Sequence, residues 1–307
     1  MKLFDHPNKK FMSRFERYEP FIQDYTQMNT LDACDRKYFY RMVLGRAPKR
    51  TNFQVVLDFG KAYHKFREVL ERSSQSGLNE MSSLGAGIEA ALSVELDVPP
   101  RGSKFEYLDK AKLLAACKVA FIWWQQEKKQ GTKKVIAIEQ PFNVMLPDGS
   151  FIGGRADQII DWNGKRYGRD FKCSSKTPEY FQKGIDPNDQ CVRYTVGESE
   201  ISGERVVGII FEALFHSNTG KTRIEPFLSE RTDSQLAIWL AEKVHINEQL
   251  KLNREKDIWP MRTHNCAWCD YIKVCRASSE RAQMGILEMD YNLKPWNHEN
   301  VDQEVVE

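Results

Sequence analysis

Apolar and polar residues follow two different periods along this chain, and the change falls at Lys134. Before it, apolar positions recur every three to four residues, the spacing of one helix face. Leu31, Cys34, Tyr38 and Met42 line one face of Thr30–Val43, a helix expected to stop near Gly45. Val56, Phe59, Tyr63, Phe66 and Leu70 do the same over Val55–Arg72. Tyr107–Lys129 reads as a third helix and Ser83–Leu96 as a shorter one. After Lys134 the period drops to two: Val135–Leu146, Phe151–Trp162 and Lys165–Cys173 alternate, separated by Pro147-Asp148-Gly149 and Asn163-Gly164, both hairpin signals. Pro187–Glu198 then reads as a helix, Arg205–Phe215 and Thr222–Leu228 as strands, and Asp233–Arg254 as a helix. A cysteine loop, a short helix and a polar tail finish the chain. This order implies an α/β (α+β) fold, a mixed sheet flanked by helices.

The two turns also set register. A two-residue Asn163-Gly164 turn pairs Trp162 with Lys165, which puts Asp157 directly opposite Asp170, their Cβ atoms about 4.5–5.5 Å apart. A three-residue Pro-Asp-Gly loop pairs Leu146 with Ser150 and brings Glu139 level with Asp157. A two-residue loop would put Glu139 on the other face. Lys172, two residues beyond Asp170, shares its face. Like charges so placed repel unless a cation lies between them. Hard oxygen ligands of this kind suit Mg2+ or Mn2+. His64 sits mid-helix, and Gln190 and Tyr194, four apart, present one hydrogen-bonding edge.

Composition adds little about partners. The chain has 307 residues, 41% hydrophobic and 29% charged, enough for one elaborated domain or two small ones. No apolar run is long enough for a bilayer span, and Met1–Lys10 lacks the apolar block of a secretory signal. The expected location is therefore the cytoplasm, with no membrane partner. Net charge is +2; from Glu288 onward six acids meet one base, so the rest of the chain is mildly basic, compatible with nucleic acid. Seven cysteines, an odd number in a chain expected to be cytosolic, argue against a disulfide framework. Cys266, Cys269 and Cys275 fall within ten residues and call for a metal centre, a zinc site or a [4Fe–4S] cluster. His264 could complete a zinc site. Cys34 competes with Cys117, Cys173 and Cys191 for the fourth place.

These pieces, in order, resemble one family. Cys34-Asp-Arg-Lys-Tyr-Phe-Tyr40, Gly60-Lys-Ala-Tyr-His64, Gly154-Arg-Ala-Asp157, Asp170-Phe-Lys172, Gln190-Cys-Val-Arg-Tyr194 and Cys266-x2-Cys269-x5-Cys275 are similar to the motifs of RecB-like nucleases of the PD-(D/E)xK superfamily. The resemblance is to the iron–sulfur branch that includes the AddB nuclease and CRISPR-associated exonucleases. It implies a restriction-endonuclease-like core and a metal-dependent DNA nuclease, with exonuclease action in recombination, repair, or phage or CRISPR DNA processing. It implies metal binding by His64, Asp157, Asp170 and the Phe171 carbonyl, with Glu139 as a further candidate. Lys172 matches the catalytic lysine, Gln190 and Tyr194 the substrate-positioning motif, and Cys34, Cys266, Cys269 and Cys275 the cluster ligands. Asp35 stands where the family commonly has proline, and Asp170 where many superfamily members have glutamate.

The expected organisation is a helical part at 1–130 carrying Cys34 and His64, a nuclease core at 131–255, a cluster loop and helix at 256–287 packing back on the N-terminal part, and an acidic, disordered tail at 288–307. The expected partner is DNA with a single-stranded end. No Gly-rich loop followed by Lys-Ser/Thr occurs, so unwinding would need a helicase or recombination partner. The cell would be bacterial, or a phage host. A silent DNA-binding or scaffold protein with a structural cluster or zinc site is the competing reading.

Overall fold

The computed structural model describes residues 16–18, 22–49, 54–99, 101–186, 188–219 and 221–296. They fall into two compact units. One comprises the described residues within Met1–Thr51, Met145–Ile152 and Trp239–Glu299; the other those within Asn52–Val144 and Gly153–Ile238.

The first unit begins with β1 (Ile22–Gln23), α1 (Tyr25–Ala33) and α2 (Asp35–Tyr38), which runs into a π-helical turn (Phe39–Val43), then β2 (Arg46–Pro48). The Asp24 carboxylate caps α1 by accepting from Gln27 N. The periodicity predicts one helix over Thr30–Val43, but the chain is interrupted at Cys34, whose backbone is extended at φ −175°. Period alone does not register such a break, because the apolar face resumes in phase on its far side.

The second unit opens with α3 (Gln54–Gln75), α4 (Glu80–Leu92) and α5 (Lys110–Gln130). Asp109 caps α5, and Gly131, left-handed at φ 66°, ends it. The sheet follows: β3 (Lys133–Met145), β4 (Phe151–Trp162) and β5 (Lys165–Ser174), then α6 (Pro178–Gln182) and α7 (Asp189–Ser202), then β6 (Val206–His216) and β7 (Thr222–Glu230). Its order is β4-β5-β6-β7 with β3 alongside β4. β4/β5 and β6/β7 are antiparallel, while β5/β6 is parallel, its crossover supplied by α6 and α7. This is the expected mixed sheet flanked by helices, consistent with a restriction-endonuclease-like fold. Pro187, where a helix start was expected, lies outside the described residues; α7 begins after Asn188, whose side chain caps it.

The chain closes with α8 (Asp233–Lys256), a 3-10 turn (Thr263–Trp268), α9 (Ile272–Arg276), α10 (Glu280–Asp290) and β8 (Tyr291–Leu293). In the first unit β8 pairs antiparallel with β2, and Tyr291 stacks on Tyr271 at 5.0 Å. Residues 288–293, given to the tail by their polar composition, are thus a helix end and a paired strand; Tyr291 supplies the anchor, only 4% exposed. Residues 297–307 lie outside the described residues. No described helix is long and apolar enough to cross a membrane.

Candidate active site

The β4/β5 ladder runs from Trp162 opposite Lys165 to Gln158 opposite Arg169, so the next rung sets Asp157 against Asp170. At the other end of β4 the loop closes through Leu146 N to Ser150 O (2.7 Å) and Gly149 N to Leu146 O (2.9 Å), the three-residue form. Glu139 therefore does reach the neighbourhood of Asp157, on a backbone held left-handed at φ 51°. A left-handed glutamate in a strand is strained, and no alternation pattern announces it.

β5 separates two environments, as alternation demands. Gly168 and Asp170 face α7. Arg169, Phe171 and Cys173 face the core built from α3 and α5. Helix α7 lies close on the sheet because glycines admit it: a Cβ on Gly197 would run into the Phe142 ring, and one on Gly168 into the Glu198 carboxyl. That approach brings Gln190 Nε2 within 2.9 Å of Asp170 Oδ1. Tyr194 meets the edge of the Phe142 ring at 5.8 Å, one turn along from Gln190.

Around the two aspartates, Lys172 Nζ lies 2.7 Å from Asp170 Oδ2 and His64 Nδ1 lies 3.2 Å from Asp157 Oδ2. Phe171 N donates to Asp157 Oδ2 at 2.6 Å. Glu139 Oε2 pairs with Arg155 Nε at 2.9 Å. The structure therefore gathers His64, Glu139, Asp157, Asp170, Lys172, Gln190 and Tyr194 into one neighbourhood, with the Phe171 N–H bound to Asp157.

The charges there are mutually dependent. Burial works against ionising Asp157, but the His64 charge and hydrogen bonds outweigh it and hold the carboxyl low. Asp170 is pushed up by burial and by Asp157, with Lys172 acting against the rise. Glu139 is pushed up to about 8 by burial and by the Asp157 charge, more than Arg155 and His64 offset. Burial also opposes charge on His64, yet Asp157 raises it to about 9. The imidazolium thus occupies the electrostatic role that a bound cation would take.

A proton must leave His64 before that nitrogen can bind a metal. Its folded pKa of about 9 exceeds the ordinary 6.5, so the imidazolium contributes stability present below pH 6.5 and lost as pH rises through 9. If His64 is a ligand to Mg2+, affinity should move the opposite way, rising about tenfold per pH unit up to pH 9. Calorimetric titration at pH 7 and pH 8 checks this. Equal affinity at both would show that the imidazole is not displaced onto metal.

The site also holds residues that sequence reasoning passed over. Glu198, one turn beyond Tyr194 on α7, is fully buried and neither carboxyl oxygen has a hydrogen-bond partner among the described residues. Burial, then the charges of Asp170 and Asp157, push it well above the usual carboxylate range. Arg67, Arg169, Glu127 and Glu212 form a buried ion network on the reverse face of β5. A signal for the last was present: Glu212 is the lone acid within the apolar strand Val206–His216.

A second cluster lies in the first unit. Cys34, Cys266, Cys269 and Cys275, all free thiols, line one cavity of about 60 Å³ with Lys37 and Arg262 at its wall. Arg262 N approaches Cys34 Sγ at 3.4 Å. Burial raises the Cys269 and Cys275 thiols, with Lys37 and Arg36 respectively acting against it. Cys117, Cys173 and Cys191 lie elsewhere, in the hydrophobic clusters of the second unit, and His264 is not among the cavity's lining residues. Among the described residues, no group of three or more His, Cys, Asp and Glu is arranged to hold a metal ion, at this cavity or at the aspartates. The donors nonetheless fit in kind: two buried aspartates, whose repulsion calls for a cation, and four thiols on one cavity.

The mixed sheet flanked by helices is consistent with a restriction-endonuclease-like fold. The chain belongs to the PD-(D/E)XK nuclease superfamily, whose family model matches residues 25–276. Members of that superfamily are typically phosphodiester hydrolases and commonly use Mg2+ or Mn2+. A solved structure titled "Crystal structure of SSO0001" is 13% identical, covering 61% of this chain and 74% of that one at a TM-score of 0.25, too loose a superposition to argue from. No curated protein matches.

Proposed function

We propose that this chain is a metal-dependent DNA nuclease of the RecB-like kind, acting as an exonuclease in recombination, repair, or phage or CRISPR DNA processing. The observation that carries the reading is the pair of opposed, buried aspartates with His64 and Lys172 within hydrogen-bonding reach of their oxygens. His64, Asp157, Asp170 and the Phe171 carbonyl would hold Mg2+ or Mn2+, with Glu139 as a further ligand. Such an ion neutralises phosphate charge and acidifies a bound water.

The chain's own residues divide the remaining work. Lys172, one-third exposed and tethered to Asp170, orients or deprotonates the attacking water, or stabilises charge developing on the phosphate. Gln190 fixes the Asp170 carboxylate by donating to Oδ1 and, with Tyr194, supports the phosphate. Asp157 is fixed from a second direction by the Phe171 N–H. Products would carry a 5′-phosphate and a 3′-hydroxyl.

In the other unit, Cys34, Cys266, Cys269 and Cys275 would hold a structural [4Fe–4S] cluster, or else zinc; their convergence on one cavity supports this. The substrate is DNA with a single-stranded end, supplied in the cytoplasm by a helicase or recombination partner.

Anaerobically purified protein should digest DNA labelled separately at each strand end when Mg2+ or Mn2+ is present, and not in chelator. Order of label release gives polarity. DNA binding without cleavage in either metal would instead establish the silent scaffold.

A further inference from the structure

The reverse face of β5 carries charge where a core would normally be apolar. Arg67 and Glu212 are each 1% exposed and Arg169 is 3% exposed. Arg67 and Arg169 both pair with Glu212, Arg169 also pairs with Glu127, and Glu127 pairs with Lys133. Trp123 Nε1 adds a hydrogen bond to Glu212 Oε2 at 3.2 Å. Burial opposes ionisation of Glu127, but Arg169 and Lys133 outweigh it and lower the carboxyl to about 2, so its charge is maintained.

Networks of this kind contribute little net stability, since well-packed apolar residues of similar volume usually do as well or better. What they add is direction: a guanidinium fork fixes the angle and distance of whatever it grips. Here it grips four elements at once, α3 through Arg67, α5 through Glu127 and Trp123, β5 through Arg169, and β6 through Glu212.

Phe171 stands in the middle of that grip. The Arg67 guanidinium lies 4.2 Å from its ring centroid and that of Arg169 lies 5.3 Å away. Its backbone sits between Asp170 and Lys172, and its N–H holds Asp157. Arg67 also follows His64 by one turn on α3, and the His64 ring meets the edge of Phe171 at 6.1 Å. A shift of Phe171, or of α3 against β5, would therefore displace His64, Asp157, Asp170 and the 171 carbonyl together.

We infer that Arg67, Glu212 and Arg169 are positioning residues for the metal site, setting its geometry through Phe171 and helix α3 without touching metal or substrate. The inference rests on the proposed metal-dependent nuclease. It requires that loosening the network weaken metal binding while the fold survives.

The test uses the full chain carrying Arg67→Met with Glu212→Gln, which removes one charge of each sign, and separately Arg67→Lys, which keeps the charge but loses the fork. Melting is followed without metal, Mn2+ affinity by calorimetry, and kcat and KM on DNA. Both variants are expected to melt close to the parent. The double variant should bind Mn2+ about 10–100-fold more weakly and lose kcat, with KM for DNA unchanged. Arg67→Lys should fall between it and the parent. Parental Mn2+ affinity in Arg67→Lys overturns the inference even if the double variant fails to fold. A parent chain that neither binds Mn2+ nor cleaves DNA would sink the nuclease reading, and this inference with it.

Discussion

Replacing Lys172 by alanine is expected to lower kcat about 10²–10⁴-fold, the usual contribution of a positioned proton-transfer group, while Mg2+ binding and folding persist. The ammonium lies 2.7 Å from Asp170 Oδ2 and is partly open to solvent, so it can serve both the carboxylate and an incoming water. Its loss has a second consequence. Asp170 is already raised by burial and by Asp157, and Lys172 works against that rise. Without it the carboxyl rises further and its basic form retreats to higher pH, moving the acid limb of the rate profile in the same direction. Excess Mg2+ should not restore the rate. Single-turnover cleavage beside calorimetric Mg2+ titration separates the two effects. A variant with parental rate would remove Lys172 from the proposed chemistry.

Replacing Cys269 by alanine is expected to give colourless protein that melts roughly 10–20 °C lower, if the thiols hold a structural cluster. Cys34 and the Cys266–Cys275 loop lie at opposite ends of the chain but in the same compact unit. Joining them closes a loop of more than 230 residues, for which chain entropy alone suggests about 5 kcal/mol. That is a large share of a typical stability of about 5–15 kcal/mol. Other attachments within the unit would survive, among them the pairing of β2 with β8 and the aromatic contacts of Tyr40 on Tyr271 at 5.6 Å, Phe39 on Trp259 at 5.1 Å and Tyr291 on Tyr271 at 5.0 Å. Partial folding without metal is thus expected. Iron, sulfide and zinc analysis of the parent decides the metal, and a parent with no metal and the same melting temperature as the variant would dismiss the centre.

Much of the second unit was legible in the sequence. Strands were marked by alternation, their ends by Pro147-Asp148-Gly149 and Asn163-Gly164, and the turns allowed the register between Asp157 and Asp170 to be worked out residue by residue. The longer helices were legible to within about a turn, their starts sharpened in the structure by caps at Asn79, Asp109 and Asn188, while the short α6 was not foreseen. Less legible was anything that breaks a period locally. The extended backbone at Cys34 splits a helix that reads as continuous, and Glu139 is left-handed inside a strand. The pairing of Tyr291–Leu293 with Arg46–Pro48 joins segments far apart in the chain, one of which reads as polar tail.

What the sequence by itself determined was the opposition of two aspartates beside a lysine, because tight turns impose register through covalent geometry alone. What only the tertiary structure decided was the company they keep. His64 and Gln190 come from helices remote in sequence, and Glu198 is buried against Gly168 because glycines let α7 settle onto the sheet. The charges of Arg67, Arg169 and Glu212 meet behind Phe171 because four separate elements converge there. Contacts of that kind arise from packing between distant segments, and no local period of apolar and polar residues encodes them.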